Sequence, residues 1–145
     1  MGLHTPAQVI NRIPGLSTRE LIDMTEKGLI IPAEESTGQG SPRQYSDENV
    51  FQIAVAASLR KTLPPIVLKF FMLQDFNIAK EKDILVFRMW PDSETRNIGY
   101  SVTGFSIDNK NDLMSIFSHN MESKSLKGFM SIVLNVKMLR EYLAM

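Results

Sequence analysis

The chain has 145 residues, 43% of them hydrophobic, and its sixteen basic and sixteen acidic side chains cancel to a formal charge of zero. That is enough apolar material for one good core or for two small modules, and it leaves no global field to draw the protein onto nucleic acid or an anionic membrane, so any polyanion binding must be local. Cysteine is absent, which excludes disulfides, thiolate metal sites and thiol redox sensing.

Helix starts punctuate the first half. In TPAQVINRI, Thr5 is placed to cap, Pro6 stands at the first helical position, where its missing N–H costs nothing, and Gln8 lies three residues after the cap. The helix that follows stops at Pro14 and Gly15. STRELIDMTEKG repeats the design, with Ser17 as cap, Glu20 as its capping-box partner and Gly28 as terminator. Leu21, Met24, Gly28 and Leu29 recur at helical spacing as a buried stripe, which leaves Thr18, Arg19, Asp23 and Glu26 outward. GQGSPRQYS, residues 38 to 46, reads as a short hairpin with Gly38 and Gly40 at its tip. Ser46 then caps a helix that is apolar nearly all round from Val50 to Ala57 and is therefore central. TLPPIVLKFFMLQDF gives a fourth helix, capped by Thr62 and opened by Pro64 and Pro65. Its surplus apolar residues, Leu68, Phe71 and Met72, need a second surface to bury against.

From about Lys80 the texture changes. DILVFRMW, NIGYSVTG and SIVLNV are β-branched or aromatic runs that read as strands, with PDSET as the turn between the first two. NKNDLMSIFSHNM puts Leu113, Ile116, Phe117 and Met121 on one helical face, and KMLREYLAM is a closing helix. Trp90, Tyr100 and Phe105 are read as core, and the nine methionines as gap fillers. His4 and His119 have no partner histidine or cysteine that would make a metal site.

Helix, tight turn, capped helix, glycine-rich span with Arg-x-Tyr, then two more helices: in this order the first 75 residues resemble the DNA-binding domain of the MerR family of bacterial transcriptional regulators. The resemblance rests on GLS at 15 to 17, Leu21, KGLIIP at 27 to 32 and SPRQYSDENV at 41 to 50, matched in order and spacing. Where most members carry Arg-Tyr-Tyr in the second helix, this chain has Ile22, Asp23 and Met24, and an arginine stands earlier as Arg19. The sequence is closer to the divergent branch with Arg-Gln-Leu-x-x-Trp at this place.

Together with the strands and helices read after Lys80, the resemblance implies an α+β protein. A winged helix-turn-helix over residues 1–78, four helices plus a wing, precedes a small α+β dimerisation or effector domain over 79–145 with a hairpin and an additional strand. It implies double-stranded DNA as the partner, read by a recognition helix over 17–28 that presents Ser17, Thr18, Arg19, Ile22 and Lys27. A wing over 33–46 presents Arg43, Gln44 and Tyr45, and Arg60 and Lys61 add phosphate contacts. Arg19 would fork onto guanine, Ile22 touch a thymine methyl, and Arg43 and the Tyr45 hydroxyl engage phosphate. Residues 1–75 hold seven basic against eight acidic side chains, so a monomer makes few phosphate contacts and a homodimer is expected. No catalytic constellation assembles; no enzyme activity, cofactor or metal is expected, and an effector of the second domain is left open. No apolar run approaches the roughly 18 to 20 residues of a membrane span and no signal-like segment opens the chain, so a soluble cytoplasmic protein is expected. The alternative reading is a protein interaction module that keeps the scaffold and docks a partner through the apolar surface near Ile22.

Overall fold

A computed structural model describes residues 2–72, 81–91, 98–108 and 130–144. Among these lie five helices and two small antiparallel sheets, a mixed α+β architecture in two compact units. Unit 1 is Met1–Gln74 together with Leu139–Met145; unit 2 is Asp75–Met138.

In the first unit three helices begin by one rule. Thr5, Ser17 and Ser46 each adopt extended backbone and close a capping box with the third helical residue, Gln8, Glu20 and Asn49 respectively. The helices so started are α1 (Pro6–Arg12), α2 (Thr18–Glu26) and α3 (Asp47–Leu59). Gly15, with φ of 78°, makes the turn between the first two. The end of α2 is a Schellman closure: Gly28, with φ of 71°, donates to the Thr25 carbonyl and Leu29 to that of Met24. In α3 eight residues are buried, among them Val50, Phe51, Ile53 and Val55, so it is the central helix that its all-round apolar sequence predicts. α4 spans Pro65–Met72. It is not capped by Thr62, which belongs to the turn after α3 with its N–H bonded to Leu59; Pro65 is the first helical residue, so the capping position falls on Pro64. Leu68, Phe71 and Met72 are buried, which accounts for the surplus apolar residues of this helix.

A two-stranded sheet, absent from the sequence-based expectation, pairs β1 (Leu3–His4) with β2 (Tyr45–Ser46), Leu3 opposite Ser46 and His4 opposite Tyr45. It leads directly into α3. Between α2 and β2 the chain makes a hairpin: Glu34 and Gln44 exchange both backbone hydrogen bonds, and Ser41 closes the tip onto Gly38. Gly38 and Gly40 both have positive φ, as the tip of a tight return needs.

The second unit holds a three-stranded sheet in the order β4-β3-β5, from β3 (Ile84–Pro91), β4 (Ile98–Phe105) and β5 (Met130–Asn135). All pairs are antiparallel, and the strands coincide with the three apolar runs of the sequence to within one residue. Leu85, Val86 and Phe87 are consecutive and all buried, so the central strand is covered on both faces. The helix expected over 109–121 with His119, and most of the PDSET turn, lie outside the described residues. The last helix, α5 (Val136–Tyr142), starts where the Asn135 side chain accepts from the Met138 N–H. The expected second domain of 79–145 needs a correction at its end: the final seven residues belong to the first unit. Leu143 is buried, and its carbonyl accepts from the Arg12 guanidinium.

Candidate functional site

Among the residues that the sequence puts forward, those of α2 divide by helical phase. Leu21, Met24 and Thr25 are buried, whereas Thr18, Arg19, Ile22 and Lys27 are exposed, Ile22 by 44%. Burial of the inner stripe holds the outer one still. Ser17 is exposed but occupied: its hydroxyl donates to the Glu20 carboxylate and accepts from the Glu20 N–H, which is the work of a cap. The bond from the Ser17 backbone N–H first, and then the one from its hydroxyl, hold the Glu20 carboxyl below its ordinary value. Arg19 has no hydrogen bond or ion pair among the described residues; its field reaches Asp23, one helical turn on.

Asp23 organises the far end of the helix. Lys27 pairs with it at 2.9 Å, four residues apart, and Arg60 Nη2, from the end of α3, donates to it at 2.8 Å. The Lys27 bond first, and then the charges of Lys27, Arg60 and Arg19, hold the Asp23 carboxyl below its ordinary value. Two of the predicted DNA contacts, Lys27 and Arg60, are therefore already partnered by one carboxylate. The Asp23–Lys27 pair is readable in the sequence as an i,i+4 match. Its second cation lies 37 residues away in sequence, and no local pattern predicts that.

On the hairpin the three predicted residues fare differently. Arg43 Nε donates to the Glu35 carboxylate at 2.9 Å, across the exposed hairpin. Gln44 has its backbone N–H and carbonyl committed to Glu34, while its side chain is half-buried. Tyr45 requires a correction: it does not project toward solvent. Its ring is only 2% exposed, and its hydroxyl lies 3.0 Å from the Thr25 hydroxyl. Thr25 gives its own proton to the Leu21 carbonyl, so the tyrosine is the donor. The reason is energetic, because a buried aromatic ring with a satisfied hydroxyl gains more than one exposed polar contact returns. Thr25 is the residue that sequence reading misses. A threonine beside a leucine stripe looks like surface, and only the returning hairpin reveals its partner.

Lys61 is exposed beside Glu20, whose carboxyl its charge also helps to lower. The two line a hollow of about 320 Å³ that Ile13, Ala54 and Leu143 share. The remaining polar cluster of the unit joins its N-terminal strand to α3. His4 Nε2 donates to Asp47 at 2.6 Å, and Arg12 Nη1 lies 3.7 Å from the same carboxylate. Among the described residues no group of three or more histidines, cysteines or carboxylates is arranged to hold a metal, and no helix is long and apolar enough to cross a membrane.

The structure thus joins α2 and the hairpin through Thr25 and Tyr45, and joins Lys27 and Arg60 through Asp23, while Lys61 stands apart with Glu20. A scan against protein-family models and a search of curated proteins each gave no match for this chain.

Proposed function

We propose that the first unit is a winged helix-turn-helix of the kind found in MerR-like regulators, and that the protein is a sequence-specific DNA-binding transcriptional regulator acting as a homodimer. The observation that carries the reading is the Tyr45–Thr25 bond, which ties the hairpin to the inner side of α2 and so supports reading the two together as wing and recognition helix. In this reading Thr18, Arg19 and Ile22 enter the major groove from the first turn of α2, where the helix dipole favours phosphate. Arg43 follows the backbone from the hairpin, with Gln44 beside it. Tyr45 acts from within, as the support of the wing rather than as a contact. The second unit is assigned to dimerisation or to sensing, because seven cations against eight acids in residues 1–75 make two copies necessary for tight binding.

Asp23 gives this interface an internal competitor. Lys27 and Arg60 meet phosphate with their charge already shared with its carboxylate. Replacing Asp23 by Asn should therefore tighten binding to all sequences alike and steepen the salt dependence by about 1 to 2 in log–log slope, one step per cation released.

Selecting bound sequences from random duplexes tests the whole reading. Enrichment of a near-palindrome would support a dimeric reader, while retention of no sequence above background at low salt would sink it. In the same assay Arg43→Ala should weaken every sequence equally and lower the salt slope by roughly 1. A change of base preference would remove the hairpin from its phosphate role. The second reading, a protein-docking module, is favoured by the exposure of Ile22 beside cations that are already neutralised; it expects association that is insensitive to salt and lost in Ile22→Ser.

A further inference from the structure

A cavity of about 450 Å³ is formed by the C-terminal half of α2, the segment that follows it, the turn after α3 and the start of α4. Its size is within the roughly 300 to 1,000 Å³ of small-molecule sites. Four charged side chains line it, the carboxylate of Asp23 and the cations of Lys27, Arg60 and Lys69. The cations outnumber the acid, and Asp23 is already shared between Lys27 and Arg60. Lys69 has no ion pair among the described residues. Arg60 uses Nη2 on Asp23, but its Nη1 is shut away from solvent and has no hydrogen-bond partner among the described residues. That nitrogen is closed to a ligand as it is to water, so what Arg60 offers the cavity is the charge of its guanidinium as a whole, added to those of Lys27 and Lys69. Most of the remaining wall is aliphatic. Leu63 and Leu68 are buried, Leu29 is half-buried, and Ile66 stands 63% exposed.

We propose that this cavity binds a small anionic amphiphile, a carboxylate or sulfonate head on an aliphatic or aromatic body. The head lies between Arg60 and Lys69, and the body covers Leu29, Leu63 and Ile66. A bare inorganic anion would leave the aliphatic wall wet, and a neutral apolar molecule would leave the excess of cations uncompensated. Only a molecule with both parts completes the site. The inference does not depend on DNA binding, since it rests on the charge imbalance and the aliphatic wall alone.

The test titrates the full chain with 1-anilinonaphthalene-8-sulfonate, which has such a head and body, and with N-phenyl-1-naphthylamine, the same body without the sulfonate. The sulfonate dye should saturate with one molecule per chain, be displaced by octanoate, and bind at least about tenfold more tightly than the neutral dye. Lys69→Gln should weaken it roughly fivefold, and Ile66→Asp, which sets a carboxylate among the cations, by about tenfold or more. Both substituted side chains are exposed, so the variants keep the fold, checked by an unchanged cooperative melt. Equal affinity for the two dyes, wild-type binding in both variants, or no saturable binding would each overturn the proposal.

Discussion

Tyr45 donates its hydroxyl to Thr25, and Thr25 passes its own proton to the Leu21 carbonyl, so the two substitutions that break this chain are not equivalent. Tyr45→Phe removes the donor and leaves a hydroxyl that still bonds backbone, which should cost about 1 kcal/mol in urea unfolding. Thr25→Val instead strands a buried tyrosine hydroxyl and should cost more, roughly 2 kcal/mol. If the order were reversed, the Thr25 hydroxyl would not be what satisfies the buried Tyr45 hydroxyl. Asp47 carries a pH dependence at the same scale. Its carboxyl is held below the ordinary value of 3.8, first by the His4 hydrogen bond, then by the charge of His4, the Gly2 N–H and Arg12. A depressed folded value means that the contribution is whole above 3.8 and is lost as pH falls below it toward the folded value. Asp47→Asn keeps an acceptor for His4 but has no charge to lose. The stability gap between wild type and Asp47→Asn, followed by urea midpoints, should therefore be open just above about pH 4 and close as pH falls below it. Nearly half of the Asp47 side chain is exposed, so added salt should narrow the gap at every pH.

At the scale of the element, capping chemistry sets where the helices begin, but one cap does more than start a helix. Asn49 accepts from the Ser46 N–H as the third residue of its box, and its amide nitrogen donates at 2.8 Å to the Ile31 carbonyl, in the segment that leaves α2. A single buried side chain thus fixes the start of α3 and the exit path of α2 together. Ser46→Ala removes one cap and should cost about 1 kcal/mol. Asn49→Asp retains the cap acceptor but turns a carboxylate toward a carbonyl that needs a donor. It should cost roughly 2 kcal/mol or more by chemical denaturation; a cost below that of Ser46→Ala would remove the tie to Ile31 from the account. The sequence makes the cap visible, because Ser46 with two acids after it is a helix-start pattern. The tie is invisible there, since Asn49 and Ile31 meet only once the hairpin has folded between them.

For the whole molecule, the seven residues after Met138 leave the unit that precedes them in sequence and complete the other one. Leu143, 3% exposed, lies with Ile13 and Ala54 around the same hollow, and Arg12 bonds its carbonyl. Leu143→Ala should therefore destabilise the first unit by about 2 to 3 kcal/mol, a usual cost for emptying a buried leucine site. Hydrogen exchange reads this directly: amides of α1 and α3 should lose protection. Unchanged protection there would mean that the C-terminal residues are a mere appendage.

Much of the local structure follows from the residues alone. Caps, prolines and glycines act within four or five positions, and so α1, α2 and α3 begin where Thr5, Ser17 and Ser46 place them, while strong β-branched runs form β3, β4 and β5. The partners of individual side chains were decided only by the tertiary structure. Whether Tyr45 faces solvent or Thr25, whether Arg60 and Lys27 are free or share Asp23, and to which unit Leu143 belongs all depend on groups that lie tens of residues apart. Burial and charge pairing are properties of neighbours in space, and the chain acquires those neighbours only by folding.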